Sequence, residues 1–423
     1  MQVPVTSKLL DDALSISEEW HSLLNLRELI ETQLRAGNIP RESVDVVAIG
    51  KASRSMTRAC REILGQRVQR VFMVVDEADP ANDLGAEVLV GEHPLPGEGS
   101  AHAGERLLTF LAESTQASCT LFLISGGASS LCARPQSPVD LEVLHQLFAA
   151  ALESGMDITE LNRLRAATSS IAGGAVLRHV RTARSIALIM VDNVLSGATW
   201  VASALTYDYQ PSEDEVTELI ERSRLSTTLA TNVREASVRR RTLMDRPVTT
   251  THENIVVADP SMLLDTAVQS AREHGYRVVR IGSDVHGDVH DVVDDFTKTL
   301  RAELSTPGPF CVVGVGEVTV QVRGPGTGGR CQEFAWAMAE VLATIDRFGI
   351  FVARASDGRD FVPGVAGGWV DRDTKDNART LGIDWSEISS QNNTFNGLST
   401  LGQLIGGSGT GWNLCDLYFT VIA

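Results

Sequence analysis

The chain has 423 residues, of which 43% are apolar and 22% charged, and its net charge is −17. This length predicts two or three domains, and a mean hydropathy of +0.00 is typical of a globular protein with a sizeable core. The acidic balance argues against a nucleic-acid-binding face, which requires basic surface. No apolar run is long enough to cross a bilayer and residues 1–20 lack a signal-peptide core, so we expect a cytoplasmic protein with no membrane partner.

Six cysteines are scattered along the chain without a Cys-x-x-Cys pair. That spacing fits reduced, partly buried thiols better than a disulfide framework or a zinc site.

Short β-branched runs alternate with amphipathic segments of helical length along most of the chain. This alternation predicts a mainly parallel sheet covered by helices. A run at 318–322 follows Gly316 closely and predicts an antiparallel hairpin partner, so we expect a mixed sheet in the second half. The charged stretch 213–246 predicts a helix and a linker between the halves. The predicted strands are 45–49, 70–75, 120–124, 185–191, 254–257, 276–281, 310–315 and 350–355.

Glycine-rich turns follow the first and third predicted strands. In open α/β sheets ligands bind at the carboxyl ends of the strands, so these turns are candidate sites. Lys51, one of only four lysines, follows Gly50 and could reach a phosphate or a carboxylate. The alternative is a lysine whose stem packs at a helix start with its charge in water.

The turn after the third strand consists of small residues. Its consecutive backbone N–H groups could cradle a phosphate, although it lacks the lysine and the spacing of a Walker A loop; the alternative is a plain tight turn. The candidate phosphate-binding residues are Ser125, Gly126, Gly127, Ser129 and Ser130.

Two further strand ends carry carboxylates. Asp192 precedes Asn193, and Asp357 precedes Gly358. A carboxylate at such a position can bind Mg²⁺ or accept a hydroxyl proton, but both pairs are also common in turns.

The segment 284–291 contains His286 and His290 among aspartates. Their spacing could suggest a metal site, but no third ligand is evident, and the pattern favours a solvated helix start.

The segment 324–334 combines a glycine-rich turn, Arg330 and the start of an apolar helix-like run. Glycines allow close backbone approach, a helix start offers unpaired N–H groups, and arginine adds a forked cation, so this order of residues can bind an anion. The alternative is an ordinary strand-turn-helix connection with one solvated arginine.

Taken in order, these motifs resemble the glycerate 2-kinase family over nearly the whole chain. The matching elements are Gly50-Lys51-Ala52, Glu92-His93-Pro94, Ser125-Gly126-Gly127, Asn162-x-x-Arg165, Asp192, Gly328-Gly329-Arg330-x-Gln332-Glu333-Phe334, Asp357-Gly358-x-Asp360 and Gly411-x-Asn413-x-x-Asp416.

The resemblance implies an α/β fold of two domains with a cleft between them. Residues 1–240 would form a Rossmann-like domain with a mainly parallel sheet and helices on both faces. Residues 241–423 would form a smaller mixed-sheet domain of the MOFRL type.

The resemblance also implies a kinase that uses ATP and Mg²⁺ to phosphorylate a hydroxyl of glycerate or a related hydroxy acid. Lys51, Asp192 and Arg330 would be its active-site groups. Glu317 and Asp357 would be secondary contacts for the cofactor, and Asp192 and Asp357 would bind the metal. Such a kinase acts on a small molecule, and the resemblance leaves a homodimer open.

Several positions depart from the family pattern in these same loops. Ala166 and Ala172 stand where the family carries lysines, and Cys331 replaces an asparagine. A less polar pocket suits a bulkier or less charged acceptor, or a paralogue that binds a metabolite or partner without turnover.

Overall fold

The structure is a computed structural model that describes residues 5–36, 43–79, 81, 84–113, 115–195 and 197–423. Its strands, in chain order, are β1 Val44–Ile49, β2 Val68–Val75, β3 Glu87–Val90, β4 Cys119–Ile124, β5 Arg184–Met190, β6 Thr251–Ala258, β7 Arg277–Arg280, β8 Val285–Asp288, β9 Phe310–Thr319, β10 Gly349–Ala355, β11 Val365–Asp371, β12 Leu404–Gly406 and β13 Asp416–Ile422.

The helices complete the chain order. They are α1 Val5–Leu23, α2 Leu26–Ala36, α3 Ser53–Leu64, α4 Glu98–Ala112, α5 Ala128–Leu131, α6 Leu141–Glu153, α7 Ile158–Ala167, α8 Glu213–Arg222, α9 Thr227–Met244, α10 Pro260–Glu273, α11 Val289–Glu303, α12 Arg330–Leu342, α13 Thr374–Thr380, α14 Trp385–Ser390 and α15 Thr394–Leu401. None of these helices combines the length and apolar character needed to cross a bilayer.

The chain divides into two compact units. The parallel-sheet unit comprises the described residues of Leu26–Val191 and Leu195–Ala258. The mixed-sheet unit comprises the described residues of 1–25 together with Asp192–Val194 and Asp259–Ala423. These units are discontinuous, unlike the continuous ranges 1–240 and 241–423 expected from the sequence. Helix α1 belongs with the mixed sheet, and β6 belongs with the parallel sheet.

The parallel-sheet unit contains six parallel strands in the order β3-β2-β1-β4-β5-β6. This is the strand order of a Rossmann fold. The six strands are parallel, but the direction in which successive strands are added to the sheet reverses between β1 and β4. Every residue of β1 and β4 is buried, because apolar side chains on both faces of these strands are covered. The eight strands predicted from β-branched runs are all present, and the predicted fold class is confirmed.

The stretch 213–246 forms helices α8 and α9, so the predicted helix is confirmed. Both helices pack into this unit and do not form a linker, so that part of the prediction was wrong. Val216, Leu219 and Ile220 of α8 and Val233 and Ala236 of α9 belong to one buried cluster with the apolar faces of α6 and α7. The amphipathic spacing of these few apolar residues, rather than the high charge of the segment, determined where it lies.

The mixed-sheet unit has the strand order β12-β11-β10-β13-β9-β7, with β8 paired to β9. Strands β7 and β8 run parallel to β9, and the remaining pairs are antiparallel. Its core contains the rings of Phe296, Phe334, Phe351 and Tyr418, whose neighbouring centroids lie 4.8 to 5.9 Å apart. The mixed sheet expected for the second half is therefore present.

The hairpin predicted at 318–322 is wrong, because β9 continues through Gly316 to Thr319. Gly316 pairs with Asp416 on one side and with Val285 on the other. A Cβ atom at Gly316 would lie 1.8 Å from the Val285 carbonyl oxygen. This glycine therefore permits close strand pairing and does not form a turn.

Candidate functional site

The turns that follow β1 and β4 are hydrogen-bonded to each other at the switch point of the parallel sheet. The Lys51 amide donates to the Gly126 carbonyl at 2.9 Å, and the Ala52 amide donates to Ser125 Oγ at 3.0 Å. Gly50 has a φ of +125°, and a Cβ there would lie 2.3 Å from Ser125 Oγ. Only glycine fits at this position. The structure thus brings Lys51 and residues 125–130 together, as their positions after strands predict.

Lys51 lies beside His93, which the sequence did not single out as a site residue. A Cβ atom placed on Gly127 would lie 3.4 Å from Lys51 Cε and 3.3 Å from His93 Cδ2, so these side chains line one small space. Burial lowers the pKa of His93, and the charges of Lys51 and Arg165 lower it further, against the opposing charge of Asp76. Burial and the neighbouring Lys51 charge therefore favour the neutral form of His93.

The three serines of the β4 turn have separate partners. Ser125 Oγ accepts from the Ala52 amide, and Ser130 Oγ donates to the Pro94 carbonyl at 2.6 Å. Ser129 Oγ lies 2.8 Å from Ser203 Oγ. The hydroxyls of Ser125 and Ser130 thus shape the turn, whereas Ser129 lines a small pocket together with Ala128 and Ser203.

Arg330 begins α12 in the mixed-sheet unit and contacts two carboxylates. It donates to Glu317 on β9, and its Nη2 lies 3.4 Å from Asp416 Oδ2 at the start of β13. Burial raises the pKa of Asp416 to about 7, although the Arg330 charge opposes this shift. Tyr418 also donates to Asp416 at 3.0 Å. Burial tends to lower the pKa of Arg330, but Asp416 and Glu317 together raise it, so this arginine stays charged.

The first turn of α12 is capped from within the protein. Asp360 accepts from the amides of Cys331 at 3.1 Å and Gln332 at 2.9 Å. A Cβ at Gly329 would lie 2.2 Å from Asp360 Oδ1, so the motif glycine makes room for this carboxylate. The sequence predicts that this helix start binds an anionic ligand, but two of its N–H groups bind the side chain of Asp360. The prediction that these N–H groups await a ligand was wrong.

Asp192 and Asp357 both belong to the mixed-sheet unit. The Asp192 carbonyl accepts from Cys415 Sγ at 3.3 Å. The carboxylate of Asp357 accepts from the Arg359 amide at 2.8 Å and so shapes a turn through Gly358, whose φ is +74°. No group of three or more His, Cys, Asp or Glu among the described residues is arranged to hold a metal ion.

The segment 284–291 is a strand followed by a helix start. His286 lies in β8, whereas His290 lies in the first turn of α11, where its amide donates to Asp288 at 3.0 Å. The helix start favoured by the sequence is confirmed.

The fold and these turns define an α/β protein in which each unit carries charged side chains at the ends of its strands. Residues 8–237 match a family described as "Domain of unknown function (DUF4147)", and residues 310–416 match the MOFRL family. The chain is a divergent member of the glycerate kinase family, with a DUF4147 region followed by a MOFRL region.

Two relatives of known name illustrate this similarity. The D-glycerate 2-kinase of Thermotoga maritima is 28% identical over 390 residues, which cover 90% of this chain and 91% of that protein. The glycerate 2-kinase of Pyrococcus horikoshii is 25% identical over 98% of this chain and 96% of its own length. The crystal structure of glycerate kinase from Thermotoga maritima superposes with a TM-score of 0.86 at 26% identity and covers 99% of this chain and 100% of that one. This similarity over both units supports a kinase.

Proposed function

We propose that this protein is an ATP-dependent phosphotransferase that phosphorylates a hydroxyl of glycerate or a related hydroxy acid. The observation that carries the proposal is the position of Lys51. It lies at the switch point of a parallel sheet, in the glycine turn after β1, which is hydrogen-bonded to the turn after β4. A phosphoryl transfer enzyme needs positioning and charge neutralisation more than covalent catalysis, and a lysine at such a point supplies both.

In the parallel-sheet unit, Lys51 would neutralise phosphoryl oxygens. The turn 125–130 would receive phosphates through the backbone N–H groups of residues 126–129, because the Ser125 and Ser130 amides donate to the carbonyls of Ile49 and Gly127. The left-handed φ of +80° at Gly127 opens the space that Lys51 and His93 line, which fits a small anionic group.

In the mixed-sheet unit, Arg330 would stabilise charge on a phosphoryl or carboxylate group, and Asp192 would orient or deprotonate the acceptor hydroxyl. Glu317 holds the Arg330 guanidinium in place.

Carboxylate oxygens of Asp192 and Asp357 are the donors that Mg²⁺ prefers, and Mg²⁺ commonly uses one or two carboxylates together with substrate phosphates. When bound, Mg²⁺ would neutralise phosphate charge.

The test is to incubate the purified protein with ATP, Mg²⁺ and a panel of hydroxy acids and to follow products by phosphorus NMR. We expect Lys51→Met to lower kcat/KM by about a hundredfold or more, because a transition-state contact is lost. Lys298→Met is the matched control, since Lys298 is a surface residue paired with Asp295 on α11. The same loss is expected for Arg330→Gln.

Complete absence of phosphorylated product, together with no nucleotide binding by calorimetry, would contradict the proposal. That outcome would favour the alternative of a paralogue that binds a metabolite or partner without turnover. The alanines at 166 and 172 motivate this alternative, because both are buried apolar residues.

A further inference from the structure

The loop between β3 and α4 carries His93 and is held against the turn that follows β4. Ser130 Oγ donates to the Pro94 carbonyl at 2.6 Å, which joins the loop to that turn. Two residues further along, the Pro96 carbonyl is hydrogen-bonded to the ring of His145 on α6. The backbone that follows His93 therefore has a defined position in the parallel-sheet unit.

Glu92, the neighbour of His93, is used by the fold. Its carboxylate accepts hydrogen bonds from the amides of Gly97, Gly99 and Ser100 at 3.1, 3.1 and 2.9 Å, at the start of α4. Burial opposes ionisation of Glu92, but the hydrogen bonds from Ser100 and Gly99 outweigh burial and lower its pKa. This carboxylate therefore caps a helix and is a poor acceptor for a substrate proton.

The His93 ring is not used in this way. Its Cδ2 and the Cε of Lys51 lie 3.3 and 3.4 Å from the point that a Cβ atom on Gly127 would occupy. The ring is exposed, and neither of its nitrogens has a hydrogen-bond partner in the described part of the chain. By contrast, the ring of His252 is hydrogen-bonded to Ser185 at 2.8 Å. Both nitrogens of His93 are therefore open to a ligand beside Lys51.

The charges around His93 keep the ring neutral. Burial lowers its pKa, Lys51 and Arg165 lower it further, and Asp76 opposes them. A neutral imidazole has one nitrogen that can accept a proton. Phosphoryl oxygens bound by Lys51 would offset the lysine charge as that proton arrived. Asp192 is a candidate ligand of Mg²⁺, and a carboxylate bound to a cation is a weaker base.

We propose that His93 is the general base of this phosphotransferase and that Asp192 orients the acceptor without taking its proton. The assignment rests on the proposed function, because it names the group that receives the proton in that reaction. The acceptor hydroxyl gives its proton to the free ring nitrogen of His93 while its oxygen forms a bond to the γ-phosphorus of ATP. The bond from that phosphorus to the bridging oxygen breaks, and ADP leaves with the electron pair. The imidazolium then releases its proton to water.

The test measures kcat and kcat/KM against pH with ATP, Mg²⁺ and the hydroxy acids of the phosphorus NMR panel. We expect His93→Gln to lower kcat by about a hundredfold or more, with the KM for ATP changed by less than about threefold. His102→Gln, at an exposed position on α4, is the matched control and should leave kcat within about twofold. In the wild-type protein kcat/KM should fall at acidic pH, with a midpoint below the ordinary histidine value of 6.5. This fall should be absent from His93→Gln and retained in Asp192→Asn.

A rescue experiment separates proton transfer from a structural role. Because the His93 ring is exposed, its removal in His93→Ala leaves room for a small base, and added imidazole should restore kcat at least about tenfold. Imidazole should not raise the rate of the wild-type protein. Calorimetry with ADP and thermal unfolding of each variant identify any loss of activity that comes from misfolding.

A kcat of His93→Gln within about threefold of the wild-type value would overturn the assignment. So would a fall at acidic pH that persists in His93→Gln and disappears from Asp192→Asn, or the absence of rescue in a folded His93→Ala variant. Turnover that does not depend on His93 removes this assignment alone. Failure of the wild-type protein to phosphorylate any acid removes the proposed function and the assignment together.

Discussion

Asp360 and Gln332 are joined by three hydrogen bonds, each 2.9 Å long. The Gln332 amide and Nε2 both donate to Asp360 Oδ2, and Nε2 also donates to the Asp360 carbonyl. Both residues are buried, so these bonds are shielded from water. They connect the loop after β10 to the start of α12, where Arg330 is located.

We expect Asp360→Ala to lower the free energy of unfolding by about 2–4 kcal/mol, because it removes the cap of α12 and leaves buried donors without acceptors. Chemical denaturation would measure the loss. Asp384→Ala is the control, since Asp384 caps the short helix α14 at an exposed position and should cost about 1 kcal/mol or less. Equal decreases in the free energy of unfolding of the two variants would show that burial of the Asp360 cap does not add to its stabilising effect.

Glu333 makes stability depend on pH. Burial raises the pKa of this carboxyl from 4.5 to about 7, although Thr394 donates to it at 3.0 Å. Because the folded pKa is raised, its stabilising contribution is complete below the unfolded pKa and is lost as pH rises through about 7. The Glu333→Gln variant has no titrating group at this position. The free energy of unfolding of the variant minus that of the wild-type protein should therefore increase by up to about 3 kcal/mol between pH 4 and pH 8.

Urea unfolding at both pH values would measure this difference. Glu340→Gln, on the exposed face of α12, is the control and should show little change between the two pH values. A difference for Glu333→Gln that does not grow with pH would contradict the raised pKa.

Arg240 joins the turn at Ala172 and Gly173 to the chain at Tyr209. Its Nη2 donates to the carbonyls of Ala172, Gly173 and Tyr209 at 3.1, 3.0 and 2.9 Å, and the side chain is fully buried. We expect Arg240→Met to lower the free energy of unfolding by about 3 kcal/mol or more, because three hydrogen bonds from one buried charged donor are lost.

Arg239→Met tests the neighbouring position, where an exposed arginine donates to Ser137 at 3.0 Å, and should change stability by less than about 1 kcal/mol. If Arg240→Met left stability unchanged, removal of a buried charge would have offset the loss of its hydrogen bonds, and Arg240 would not stabilise the contact between the turn at Gly173 and Tyr209.

The six cysteines are all free and buried. Burial raises the pKa of Cys60 and Cys132 to about 12, so little thiolate is present at neutral pH. We therefore expect no rapid reaction with a thiol reagent in the native protein at pH 8 and six reactive thiols after unfolding in guanidinium. Fast labelling of any thiol in the native state would contradict its burial.

Much of the fold could be predicted because its signals are local. Each predicted strand is a short run of β-branched residues, and Gly50 and Lys51 directly follow one of them. Two wrong predictions about the fold, the hairpin after Gly316 and the linker at 213–246, share a cause. In both places a local signal, a glycine or a run of charge, was outweighed by packing against residues distant in sequence.

The sequence by itself determined the parallel strands, the turns at their ends and the family, because these depend on residue types at short spacing. Only the tertiary structure decided that Asp360 occupies the helix start at Arg330, since the two residues are distant in sequence and meet through packing of a loop on a helix. The same is true of Arg165, whose burial over Phe148 without a carboxylate partner among the described residues depends on how α6 and α7 pack together. Long-range packing therefore determined which charged side chains are paired within the protein and which charged side chains lack an internal partner of opposite charge among the described residues.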